Sequence, residues 1–152
     1  SDLRSRYTTP GTDDQWETSL NRYGSNDKVS FRNIIRATTS YETAKFTHTL
    51  SASYRNGYTD KEQTADDCAV IVAGSPGECY GIQLEVPSYT TFDFQTAYRP
   101  LKNVEITGGI LNLFDRNPPF TLRNTGSHQV GYNPSYSSAL GRQFYLSGSY
   151  KF

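Results

Sequence analysis

The sequence predicts an all-β chain folded as an antiparallel sheet, and three observations carry the prediction. Apolar and polar residues alternate with a period of two over stretches of about ten residues, as side chains do when they leave a strand on opposite faces. The connections between these stretches are by turns short and long. Hydrophobic residues are 35% of the chain, mean hydropathy is -0.67 and the longest apolar run is residues 69–73, so no segment offers the ~20 apolar residues of a helical span. A strand that shows lipid only at every second position keeps a polar average, so the wall of a transmembrane β-barrel stays open where a helical membrane protein is excluded. Aromatics at 14%, with twelve Tyr, one Trp and no Met, suit strands and interfacial girdles better than packed helices. Fifteen basic residues balance fifteen acidic ones, and nothing calls for nucleic acid or an acidic partner.

Each stretch shows its own two faces. Residues 2–7 set Leu3, Ser5 and Tyr7 against Asp2, Arg4 and Arg6, the end of a sixth strand. Residues 29–41 set Phe31, Ile35, Ala37 and Tyr41 against Arg32, Ile34, Arg36 and Ser40. Only 42–44 separate these from 45–58, where Phe46, His48, Leu50, Ala52 and Tyr54 oppose Thr47, Thr49, Ser51, Ser53 and Arg55. Residues 89–99 set Phe92, Phe94, Thr96 and Tyr98 against Thr91, Asp93, Gln95 and Ala97, and the link 100–103 makes a tight hairpin with 104–113. There Val104, Ile106, Gly108 and Ile110 oppose Glu105, Thr107 and Gly109; the phase blurs at Leu111 and Leu113, and Gly108-Gly109 is a candidate bulge. The last strand, 143–152, sets Phe144, Leu146, Gly148, Tyr150 and Phe152 against Gln143, Tyr145, Ser147, Ser149 and Lys151, and it ends on an aromatic.

The connections run long (8–28), short (42–44), long (59–88), short (100–103), long (114–142). Outer-membrane barrels have short periplasmic turns and long extracellular loops, whereas a soluble sandwich seldom places a structureless connection of such length at every second position. With the end of the last strand in the periplasm, both short turns fall there and all three long loops fall outside. The expected fold is therefore an antiparallel transmembrane barrel segment in the bacterial cell outer membrane. Five strands and a stub cannot close a barrel, because an open edge in lipid leaves N–H and C=O groups unpaired. Upstream sequence, a separate polypeptide or other protomers are expected to supply the rest. The opening residues lack a secretory signal, which reads as a cytoplasmic chain, a mature one or a fragment of something longer.

One long connection carries a resemblance. Asn112-Leu113-Phe114-Asp115-Arg116 with Pro118-Pro119-Phe120, then Gly131-Tyr132-Asn133-Pro134 and Tyr136, then Gly141-Arg142-Gln143-Phe144-Tyr145 running into the last strand, resembles the C-terminal end of the TonB-dependent outer-membrane receptors. In that family the second-last strand finishes in an NLFD-type motif and the last begins after a Gly-Arg-aromatic segment. The resemblance implies the last quarter of a 22-stranded barrel whose plug domain and TonB box are absent from this chain. It implies engagement of TonB through that plug, and reading of Phe144, Leu146, Tyr150 and Phe152 by the barrel-assembly machinery. Taken by its residues, the motif is a strand stop in preference to a ligand site: Asn112 and Asp115 bond local backbone where the ladder ends, and the prolines stop further pairing.

Other candidates are read from chemistry and place. Cys68 and Cys79, in DCAVIVAGSPGEC, are expected to form a loop-closing disulfide in an oxidising compartment, since two thiols without a nearby His make a poor metal site. That loop is either merely stapled or also touches ligand. Arg32, Arg36, Arg55, Asp93 and Glu105 are expected to face the lumen, either pairing with a plug or lining a wet path, or forming ion-pair ladders along the wall. Tyr58, Tyr80, Tyr132, Asn133 and Tyr136 are candidates for stacking on a sugar or chelate, against ordinary loop packing. No catalytic residue, metal or cofactor is expected: neither His48 nor His128 has a triad-like setting, and Gly74 to Gly77 lack the Lys-Ser/Thr of a phosphate loop. The expected partners are the rest of the barrel with its plug, and outer-membrane lipid. Three functions remain in front: a receptor for energised uptake of a siderophore, cobalamin, carbohydrate or peptide; a passive porin-like or oligomeric barrel; and a soluble carbohydrate-binding β-domain.

Overall fold

The computed structural model describes residues 4–7, 15–23, 28–60, 83–122 and 131–152. Among these residues the strands are β1 (Arg4–Tyr7), β2 (Gln15–Thr18), β3 (Ile34–Glu42), β4 (Phe46–Arg55), β5 (Tyr58–Thr59), β6 (Glu85–Val86), β7 (Tyr89–Leu101), β8 (Val104–Leu111) and β9 (Gln143–Tyr150). The chain is all-β. Five strands form one antiparallel sheet in the order β3-β4-β7-β8-β9, while β1 with β2 and β5 with β6 make two-stranded ribbons.

Register carries the period of two across the whole sheet. One row runs Thr39, Leu50, Phe94, Ile110, Phe144, and the neighbouring position along the strands gives Ser40, Thr49, Gln95, Gly109, Tyr145. One face is therefore apolar and the other polar. Hydroxyls meet across the polar face, Thr38 with Ser51 at 3.2 Å and Ser40 with Thr49 at 3.1 Å. Rings meet across the apolar one, where Phe46 stacks on Tyr98 with centroids 4.6 Å apart.

Apart from Ala97, on the polar face of β7, the buried hydrophobic side chains do not lie on this sheet. Among the described residues the hydrophobic cluster is Val29, Tyr58 and Val86 with Tyr23, Phe31 and Tyr136 packed on it, all at the end where the long connections gather. The apolar face is open: Tyr41 is 69% exposed, Phe144 71% and Leu146 78%. A two-layer soluble fold buries such a face against a second layer. Among the described residues no second layer covers it.

Element bounds depart from the alternation where loops compete for residues. β3 begins at Ile34 and not at residue 29, because Val29 and Phe31 are drawn into the loop cluster and the Arg32 N–H donates to Asn21 Oδ1 at 2.8 Å. Arg32 therefore precedes the strand and does not share a strand face with Arg36. β4 ends at Arg55, and Tyr58 belongs to a separate ribbon opposite Val86. The connection 8–28 contains β2, paired with β1 from Arg4↔Thr18 to Tyr7↔Gln15; four residues are too few for a period to stand out. The register irregularity sits between Tyr98 and Leu101, beside Pro100, and not at Gly108-Gly109. Proline has no N–H to give the ladder, so the slip falls there. At Gly109 the missing side chain is replaced by the Tyr145 ring, which lies across it and donates its hydroxyl to Gln95 Oε1 at 2.8 Å.

Candidate functional site

The short turns and the long connections occupy opposite ends of the sheet. At the turn end, Arg99 Nε lies 2.6 Å from Glu105 Oε2, and Arg99 Nη1 lies 3.7 Å from Glu42 Oε1 and donates to Thr47 Oγ1 at 3.2 Å. Glu105 is thus one member of an ion-pair row along the polar face. Exposed pairs of this kind contribute about 0–1 kcal/mol each, so the row orders side chains more than it holds the sheet. Arg99 is a functional candidate the alternation leaves unmarked, because it falls where the expected strand gives way to a turn.

The loop end holds a cleft of about 580 Å³ on the polar face. Its floor is the loop-end residues of the strands, among them Arg36 and Tyr89 near the starts of β3 and β7, Asp93 on β7 and Arg55 at the end of β4, and its roof is the segment from Pro134 to Ser138. Arg36 and Asp93 both line it, as the shared face parity requires. Arg55 is held from above: its Nη1 donates to the Tyr136 carbonyl at 2.5 Å, and its guanidinium carbon stands 5.6 Å from the ring centroids of both Phe31 and Tyr136. Tyr89 and Thr91 line the cleft as well; only their parity on β7, read together with the fold of the roof, marks them.

Tyr58 and Asn133 lie in the roof's packing and not on an open wall, while Tyr136 packs with them and also lines the cleft. Tyr58 is 5% exposed, with Tyr23 and Phe31 each edge-on at 5.7 Å. Asn133, 4% exposed, donates from Nδ2 to the Tyr23 hydroxyl at 2.8 Å, while its carbonyl accepts the Tyr136 and Ser137 N–H groups. The Val29 N–H donates to the Tyr136 hydroxyl at 2.8 Å. Burial raises the pKa of both Tyr58 and Tyr23 above the ordinary tyrosine value, since the phenolate would lose its hydration. Tyr132, next to Asn133 in the chain, is half-buried. Tyr80, Cys68, Cys79 and His128 lie outside the described residues.

The NLFD and Gly-Arg segments form one linked device. Asn112 adopts φ 53° at the end of β8, where its side chain accepts the Arg116 N–H at 2.8 Å and donates to the Arg116 carbonyl at 2.9 Å. Its own N–H donates to Asp93 Oδ1 at 2.9 Å, and the Leu113 N–H reaches the Phe92 carbonyl at 2.7 Å. Phe114 packs edge-on against Phe92 at 5.3 Å. Asp115, also left-handed at φ 54°, accepts the Arg142 N–H at 2.8 Å. Gly141 has φ 64°, and a Cβ there would stand 2.9 Å from Asp115 Oδ1, so the approach and the backbone both favour glycine. The motif ends β8 and ties that end to the start of β9. Every described polar contact of Asn112 and Asp115 is internal, the pattern of a strand stop.

His48 faces the apolar side, its Nδ1 3.0 Å from Thr96 Oγ1 and its ring stacked near Phe46. Among the described residues no three His, Cys, Asp or Glu gather as a cation site. No family model, curated protein or solved structure matches the chain.

Proposed function

We propose that this chain is part of the wall of a TonB-dependent outer-membrane receptor, which takes up a scarce nutrient by energised transport. One observation carries the membrane part of the reading: a five-stranded antiparallel sheet whose apolar face exposes large side chains on β3, β4, β8 and β9 and is half-buried on the central β7, while its buried cluster sits at one end. Lipid is the medium that rewards such a face. In this reading the turn end faces the periplasm, the loop end faces outward and the polar side lines the lumen. The receptor part rests on the resemblance of the NLFD and Gly-Arg segments and on their linked geometry. β3 and β9 are the two edges of the sheet, and further strands, on the same polypeptide or on a companion chain, complete the wall around a plug through which TonB acts. The cleft holding Arg36, Arg55 and Asp93 then opens toward the outer mouth, where a siderophore, cobalamin, carbohydrate or peptide passes.

Photo-crosslinking from the β9 edge in isolated outer membranes tests this. A crosslinking residue in place of Ser147 is expected to capture the first strand of a long plug-bearing chain. Capture of an identical copy would replace the receptor with the porin-like oligomer.

A further inference from the structure

The turn end carries a charge pattern that the transport reading leaves unused. Lys45 sits in the β3–β4 turn, Lys102 in the β7–β8 turn and Lys151 just past β9. Backbone bonds hold the three in one arc, since the Arg99 N–H donates to the Lys45 carbonyl at 2.8 Å and the Lys151 N–H to the Asn103 carbonyl at 2.9 Å. At a strand spacing of about 4.8 Å, the step from β4 to β9 makes the arc roughly 14 Å wide. All three lysines are exposed, and none has an ion-pair partner among the described residues. The carboxylates at this end, Glu42 and Glu105, both face Arg99, which offsets one of them; the three lysines outweigh the other, so this end keeps a net positive charge.

Beside the arc, the apolar face carries its aromatic band. Tyr41 is exposed, Phe46 stacks on Tyr98, and Tyr150 meets Phe152 edge-on at 5.0 Å. Aromatic side chains at this level, with flexible cationic stems next to them, match the boundary between acyl chains and headgroups. We propose that the turn end is a contact surface for anionic phospholipid, with Lys45, Lys102 and Lys151 meeting headgroup phosphates and the aromatic band seated in the acyl boundary beneath them. This rests on the membrane reading, and it adds to that reading a preference among lipids.

Flotation of the chain with two kinds of vesicle tests the proposal: phosphatidylcholine alone, and phosphatidylcholine mixed equally with phosphatidylglycerol. Each lysine near an anionic surface contributes enough that replacing all three by Gln is expected to weaken partitioning to the mixed vesicles roughly a hundredfold at low salt, with little change on phosphatidylcholine. The Lys→Arg triple variant keeps the charge and is expected to bind as the parent does. Added sodium chloride is expected to narrow the gap, because a Debye length of about 10 Å at 0.1 M screens such charges. Equal partitioning of the parent and the Gln variant to mixed vesicles would overturn the lipid preference while leaving the membrane reading intact. Failure of every form to float with either vesicle would overturn the lipid contact, while the membrane reading, which requires further strands to complete the wall, is tested separately by the crosslink from Ser147.

Discussion

Asn112 is the residue on which the end of β8 turns, and replacing it separates two contributions. Asn112→Ala removes the two side-chain bonds to the Arg116 backbone, of 2.8 and 2.9 Å, at a position only 8% exposed. Each such bond contributes about 1 kcal/mol, and leaving its backbone partner dry adds to the loss. The φ of 53° costs an alanine about 1–2 kcal/mol, whereas asparagine tolerates that region. Together these predict a loss of about 3–4 kcal/mol. Asn112→Gly loses the same bonds without the left-handed penalty; the greater unfolded freedom of glycine takes back part of that relief, so it is expected to retain about 0.5–1 kcal/mol more than the alanine variant. Asn112→Asp keeps the acceptor for the Arg116 N–H but forfeits the donor and sets a second carboxylate near Asp93, so it falls between the parent and alanine. Urea unfolding in detergent micelles, followed by far-ultraviolet circular dichroism, measures the series. A loss under about 1 kcal/mol for the alanine variant would refute the account of the two bonds. Glycine no better than alanine would refute the account of the backbone.

Gly109→Val is expected to force the Tyr145 ring off its seat and break the hydroxyl bond to Gln95, a loss of about 1–3 kcal/mol in the same unfolding assay. Adding Tyr145→Ala to that variant is expected to recover part of it, and a strictly additive double variant would count against the contact. Alkaline pH is expected to weaken the loop-end cluster. Tyr23 and Tyr58 have pKa values raised by burial, so stability is full below the unfolded value of about 10 and falls above it as the unfolded chain sheds its protons first. Tyr58→Phe should flatten that fall, and an unchanged slope would remove Tyr58 as its source. Leu146→Lys places a charge on the open apolar face and is expected to cost about 2–4 kcal/mol in lipid if it lies near the bilayer midplane. In a water-facing sheet the same change would stay within about 0.5 kcal/mol.

The period of two determines nearly everything about the sheet's faces. Once Leu50, Phe94, Ile110 and Phe144 alternate with Thr49, Gln95, Gly109 and Tyr145, a strand has no other way to orient them, and pairing only sets them side by side. Short turns at 42–44 and 100–103 likewise leave antiparallel hairpins as the natural outcome. Phase could not say where strands lose residues to the loops, because Val29 and Phe31 continue the alternation yet bury more surface against Tyr58 and Tyr136 than an open strand face offers them. Nor could it say that Tyr145 fills the space above Gly109, or that Asp115 reaches Arg142. Those contacts join residues far apart along the chain, and only the folded register brings them within reach. The cleft is of this second kind: Arg36, Arg55 and Asp93 share a face by parity, but the segment from Pro134 to Ser138 roofs them only because Tyr136 is drawn into the cluster around Val29 and Tyr58.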